Sequence, residues 1–187
     1  MTAAPETLAC RVALILGGAR SGKSRHAQRL ADGSGLAKVF LATAEGLDDE
    51  MRERIARHRA DRDEDWRTRE EPLELAAALR REAAPGKIVL VDCLTLWLSN
   101  LMHAERDPEA EIRGLKAAIT GLDGPAIFVT NEVGLGLAPM TPMGRAFRDW
   151  QGRLNAEVAE VVEVVVAMTA GLPAVVKPAR RPGLVFR

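Results

Sequence analysis

The chain has 187 residues, 47% hydrophobic and 28% charged, with 26 basic residues against 26 acidic ones. That length suits one domain with a sizeable core, and the composition is that of a soluble globular protein. A formal net charge of zero leaves no overall field to favour nucleic acid or an anionic membrane, and no run approaches the ~18 apolar residues of a membrane span.

In chain order, Met1–Ala9 reads as a loose lead-in without the basic start and apolar run of a secretory signal. Arg11–Leu16 predicts a strand. It runs into Gly17-Gly18-Ala19-Arg20-Ser21-Gly22-Lys23-Ser24, which has the G-x-x-x-x-G-K-S spacing of a phosphate-binding loop. Glycines there let backbone N–H groups close around phosphate oxygens. Lys23 brings a charge to the β- and γ-phosphates, and the Ser24 hydroxyl suits Mg²⁺. A helix over about Lys23–Ala31 offers its N-terminus to the same anion.

Asp32–Gly35 is a turn cluster, followed by a second strand over Lys38–Ala44. Asp48-Asp49-Glu50 opens a helix that runs to about Arg62, with Met51, Ile55 and His58 on one face. Its arginines, Arg52 to Arg62, are interleaved with acids, which predicts a solvated mixed-charge face. Trp66–Thr68 reads as a short extended piece, Pro72–Ala83 as a helix, and Lys87–Cys93 as a buried strand. Thr95–Ala104 and Pro108–Leu122 read as helices. Ala126–Thr130 is another strand, ending in Asn131-Glu132. Gly134–Pro139 is too rich in glycine for regular structure. A long helix covers about Met143–Ala159. Val161–Met168 and Ala174–Lys177 are the last strands, joined too closely for a parallel crossover and so antiparallel. Pro178–Arg187 is a loose tail, which leaves residues 10–178 as a single nucleotide-binding domain.

Alternating strands and helices predict an α/β fold: a mostly parallel sheet with helices on both faces and ligands at the carboxyl ends of the strands. Asp92 ends an apolar strand, where phosphate-loop proteins place the acid that holds Mg²⁺ directly or through water. Glu132 has two open roles, accepting a proton from a substrate hydroxyl or satisfying loop amides. His26 and His103 lack a partner that would make them chemical. Cys10 and Cys93 stand apart without metal or disulfide spacing, and burial explains Cys93. No Asn/Thr-Lys-x-Asp guanine reader is present, which disfavours a switch-type GTPase.

Several pieces together resemble one family. They are Gly17–Arg25, Leu41-Ala42-Thr43-Ala44, Asp48-Asp49-Glu50-Met51, Arg54-Ile55 with His58-Arg59, Trp66-Arg67-Thr68, and Val129-Thr130-Asn131-Glu132-Val133-Gly134. The chain is similar over about residues 12–177 to the bifunctional adenosylcobinamide kinase/adenosylcobinamide-phosphate guanylyltransferases of cobalamin biosynthesis. The resemblance implies a RecA-like phosphate-loop NTPase fold. It implies phosphorylation of adenosylcobinamide from ATP or GTP, then transfer of GMP from GTP through a guanylylated histidine. By position that histidine is His58. Some members carry His-His there, but here Arg57 precedes it. The resemblance further implies nucleotide contacts from Ala42, Thr43 and Ala44, from Arg59, Ala60, Asp61 and Arg62, and from Glu70 and Asp92, and it implies a homotrimer. The rival readings are a monofunctional small-molecule kinase with His58 inert, and a nucleotide-binding regulatory ATPase. A cytoplasmic location is expected.

Overall fold

The fold is that of a computed structural model describing residues 8–45, 53 and 65–178. The strands are β1 (Val12–Gly17), β2 (Ala37–Ala42), β3 (Trp66–Glu70), β4 (Lys87–Asp92), β5 (Ala126–Asn131), β6 (Val164–Thr169) and β7 (Leu172–Lys177). The helices among the described residues are α1 (Lys23–Asp32), α2 (Leu75–Glu82), α3 (Leu94–His103), α4 (Pro108–Thr120) and α5 (Pro142–Val161). The strands form one seven-stranded sheet in the order β3-β2-β4-β5-β1-β6-β7. Every neighbouring pair is parallel except β6 with β7.

The central strands are apolar almost throughout because both faces are covered. Alternate residues divide between two cores, as a period of two requires. Leu14, Val39, Leu41, Val89, Val91 and Phe128 pack under α2, α3, α4 and α5. Ile15, Phe40, Leu90, Ile127 and Val129 pack with Ala27 and Ala31 of α1. Helices therefore lie on both faces, as expected, but unevenly: among the described residues α1 is the main helix on its side, joined there by Leu96 of α3.

The piece expected over Trp66–Thr68 is a full edge strand, paired in parallel with β2 from Lys38↔Trp66 to Ala42↔Glu70. The antiparallel pair at the end is as expected, although its turn is tighter. Ala170 and Gly171 take positive φ of 51° and 81°, the conformation that closes a two-residue hairpin. Pro173 is tolerated in β7 because it is an edge strand. Gly134–Pro139 has no regular structure. Of the helix expected over Asp48–Arg62, only Glu53 is described, and it is helical. Residues 1–7 and 179–187, where loose termini are expected, lie outside the described residues.

Candidate nucleotide site

Parallel register brings the expected site residues to one edge. Glu70 pairs with Ala42 and Ala42 with Asp92. Two strands further along, Gly17 stands between Asn131 and Met168. The carboxyl ends of β3, β2, β4, β5, β1 and β6 thus carry the whole row.

The loop between β1 and α1 turns on Gly17 and Gly22. Gly22 holds φ 92°, the left-handed region, and caps α1. Gly22 offers no side-chain cap to α1, and no acid stands in the first turn of the helix. The N–H groups and positive dipole end of such a helix start suit an anion. Lys23 is 7% exposed, and its Nζ donates to Gly18 O at 2.6 Å, so the ammonium lies against the loop it serves. Ser21 N–H closes a turn onto Gly18 O at 3.3 Å. The Ser21 hydroxyl is buried without a hydrogen-bond partner among the described residues, an unusual state for a buried polar atom. Gly18, Ala19 and Arg20 are exposed, and Ser24 is half-buried.

The β6–β7 hairpin shapes this loop from the far end of the chain. A Cβ on Gly17 would sit 2.5 Å from Met168 O, and one on Gly22 would sit 3.6 Å from Gly171 Cα. Glycine at residue 17 is therefore needed for close backbone approach as well as for its φ of 155°.

Asp92 is half-buried at the end of β4. The residue after it, Cys93, is buried rather than strand-bound and caps α3. Burial pushes the Cys93 thiol up to about 11. The Asp92 carboxylate contributes to that rise, while the backbone N–H groups of Leu96 and Thr95 and then the Lys23 ammonium oppose it, so both charges lie within reach of one buried sulfur.

Thr43 is fully buried and bridges two strand ends. Its Oγ1 donates to Cys93 O at 2.7 Å and accepts from Cys93 N–H at 2.8 Å. Its carbonyl accepts from Asn100 Nδ2 at 2.7 Å, and its N–H donates to Asp92 O at 3.4 Å. Thr43 thereby fixes where Asp92 and the half-buried Ala42 and Ala44 stand. Glu70 is exposed at the end of β3.

The Asn131-Glu132 corner is braced in the same way. Asn131 N–H donates to Thr95 Oγ1 at 2.8 Å and its carbonyl accepts from Asn155 Nδ2 at 3.0 Å. Asn155 Oδ1 accepts from Thr130 Oγ1 and Gln151 Nε2, at 2.7 and 2.8 Å. Glu132 N–H donates to Gly17 O at 3.1 Å, tying this corner to the phosphate loop. Glu132 Oε1 accepts from Gly134 N–H at 2.8 Å, so of its two open roles the bracing one is present. Sequence reading missed Thr95, Asn100, Gln151 and Asn155. For Gln151 and Asn155 a signal was available, since Gln151, Leu154, Asn155 and Val158 form one buried helical stripe with two amides in it.

His26 is half-buried on α1, and burial, then the neighbouring Arg29, hold its imidazole below the usual value. His103 is exposed, with Nδ1 2.7 Å from Ser99 O. His58, Arg59, Ala60, Asp61 and Arg62 lie outside the described residues.

Residues 13–176 match the family model described as cobinamide kinase / cobinamide phosphate guanyltransferase. The chain is 52% identical to the bifunctional adenosylcobalamin biosynthesis protein CobP of Pseudomonas aeruginosa, across 86% of this chain and 94% of that one. It is 37% identical to the bifunctional adenosylcobalamin biosynthesis protein CobU of Escherichia coli, across 88% and 98% respectively. Among solved structures it resembles the flagellar accessory protein FlaH of Methanocaldococcus jannaschii at 13% identity and a TM-score of 0.52, covering 89% of this chain and 78% of that one. That last likeness concerns the fold alone.

Proposed function

The chain belongs to the cobinamide kinase / cobinamide phosphate guanyltransferase family, and we propose that it performs both reactions at this carboxyl edge, the second through His58. The observation that carries the reading is the phosphate loop itself. A helix N-terminus without a side-chain cap, a lysine folded over the loop and a half-buried acid at a nearby strand end converge there.

In the first reaction a hydroxyl oxygen of adenosylcobinamide attacks the γ-phosphorus of ATP or GTP. The bond to the β-phosphate oxygen breaks, the nucleoside diphosphate leaves and the hydroxyl proton is lost. Little covalent work falls to the protein, so positioning and charge stabilisation dominate. Lys23 and the α1 amides meet the charge on the β- and γ-oxygens. In the second reaction an imidazole nitrogen of His58 attacks the α-phosphorus of GTP and pyrophosphate leaves. A phosphate oxygen of adenosylcobinamide phosphate then displaces the imidazole, giving adenosylcobinamide-GDP. A neutral imidazole is a competent nucleophile near its ordinary pKa of about 6.5. On this reading Ala42, Thr43, Ala44, Arg59, Ala60, Asp61, Arg62 and Glu70 surround the nucleotide.

The donor set suits Mg²⁺. Ser24 and Asp92 are hard oxygen donors. Among the described residues no group of three or more His, Cys, Asp or Glu gathers as a protein cage. Mg²⁺ characteristically takes one or two protein oxygens and completes its shell with phosphates and water. When bound, it would neutralise phosphate charge beside Lys23. Residues 10–178 act as one domain, the active form is a homotrimer, and the enzyme works in the cytoplasm. Among the described residues no helix is long and apolar enough to cross a membrane.

The test is turnover with adenosylcobinamide and ATP or GTP, followed by mass spectrometry of the corrinoid. The wild type should yield the phosphate and then the GDP adduct. Lys23→Ala should lose both by roughly 10²-fold or more, the scale for deleting a donor to a developing anion. Full kinase activity in Lys23→Ala would overturn the site.

A further inference from the structure

A second cationic site lies on the sheet face away from α1. Arg67 and Arg69 are two residues apart on β3 and so share a face. Their register partners Val39 and Leu41 belong to the core beneath α2, which places both arginines on the α2 side of the sheet edge. Lys87 opens β4, and Arg81 stands in the last turn of α2. These four cations and Glu82 line an open cleft of about 390 Å³.

Among the described residues Glu82 is the only acid in that lining, and its side chain is 6% exposed. Arg81 Nε donates to Glu82 Oε1 at 3.3 Å, and Arg69 Nε lies 3.7 Å from the same oxygen. Arg67 and Lys87 have no ion pair among the described residues. Among the described residues, one carboxylate against four cations leaves an excess of three positive charges. The α2 C-terminus offsets only about half a charge. Blocking an exposed edge strand accounts for one or two charges on β3, but not for Arg81 and Lys87 converging on the same concavity. The buried Glu82 holds two guanidiniums in place before any ligand arrives, which lowers the ordering cost of binding. Planar guanidiniums match phosphate oxygens in geometry as well as charge.

The cleft is separate from the phosphate loop. Lys87 is at the amino end of β4 and Asp92 at its carboxyl end, roughly 16 Å apart at ~3.3 Å per residue. We propose that the cleft formed by Arg67, Arg69, Arg81 and Lys87 binds a polyphosphate group, as a second anion site distinct from the phosphate loop.

The experiment is calorimetric titration of pyrophosphate into the full chain already saturated with a non-hydrolysable GTP analogue. The expected result is one further equivalent bound. The double variant Arg67→Gln/Lys87→Gln should weaken it at least about tenfold, the scale of one lost charge-assisted hydrogen bond. Arg113→Gln, an exposed change on α4, should leave it intact. A parallel titration with excess GTP analogue separates the sources. A second nucleotide equivalent that the double variant loses supports the site and assigns the phosphates to a nucleotide. Pyrophosphate binding without that equivalent supports the site for free polyphosphate. No binding beyond the first nucleotide, or binding unchanged in the double variant, overturns the proposal.

Discussion

At the scale of single residues, Thr43 uses every polar group it has inside the protein. Its hydroxyl, N–H and carbonyl all bond to Cys93, Asp92 or Asn100. A threonine expected beside the nucleotide is thus also a clamp on the acid next to it. The same burial governs Cys93. With its thiol pushed up to about 11, almost none is thiolate at pH 8, and the sulfur is enclosed as well. Cys10 is exposed. A thiol reagent at pH 8 should therefore label one cysteine in the native protein and both in denaturant, as counted by mass spectrometry. Rapid native labelling of Cys93 would contradict the packing around Asp92. Raising the pH toward 11 should speed Cys93 labelling only if the fold opens, because the reagent must reach the sulfur.

At the scale of elements, the phosphate loop is formed as much by the β6–β7 hairpin as by β1 and α1. Two glycine substitutions separate loop geometry from general stability. In Gly17→Ala the new Cβ would meet Met168 O at 2.5 Å in a backbone at φ 155°. In Gly124→Ala it would meet the Ala84 carbonyl oxygen at 2.4 Å, in the turn before β5. Both clashes are with backbone and should each cost about 1–3 kcal/mol in denaturant unfolding. Gly17→Ala should also lose nucleotide affinity, while the folded fraction of Gly124→Ala should bind as the wild type does. Equal binding by both variants would remove Gly17 from the site. The loop and its strand–helix setting were legible in the sequence because their signals, the glycine and lysine spacing between an apolar run and a helix-prone one, are local. The edge strand β3 and the tight Ala170–Gly171 turn were only partly legible, since Trp66-Arg67-Thr68-Arg69-Glu70 has one large apolar residue and is fixed by pairing with β2. The approach of Met168 to Gly17 was not legible at all, because parallel pairing across the sheet creates it. The polar clamps Asn100, Gln151 and Asn155 could be read as amides on buried helical stripes, but their partners could not.

At the scale of the molecule, one end of the sheet gathers the chemistry, while large apolar side chains are exposed elsewhere among the described residues. Leu135, Leu137 and Met140 are 91%, 98% and 94% exposed, in the segment after Glu132. Leu172, Val175 and Val176 are exposed along the edge strand β7. Apolar side chains in these numbers suit contact between subunits, which the proposed trimer requires. Sedimentation equilibrium at micromolar concentration should give three times the chain mass. Leu135→Asp/Leu137→Asp should shift it toward monomer, and a monomeric wild type would contradict the proposal. On the proposed reading one chain runs two phosphorus chemistries, sharing Lys23 and separated by His58. The most direct measurement is incubation of wild type and His58→Ala with α-labelled GTP, alongside their kinase rates on adenosylcobinamide. The wild-type protein should carry label that survives alkali and is released by acid. His58→Ala should carry no label and keep most kinase activity. Label on His58→Ala equal to that of the wild type would place the nucleophile elsewhere and contradict the role of His58.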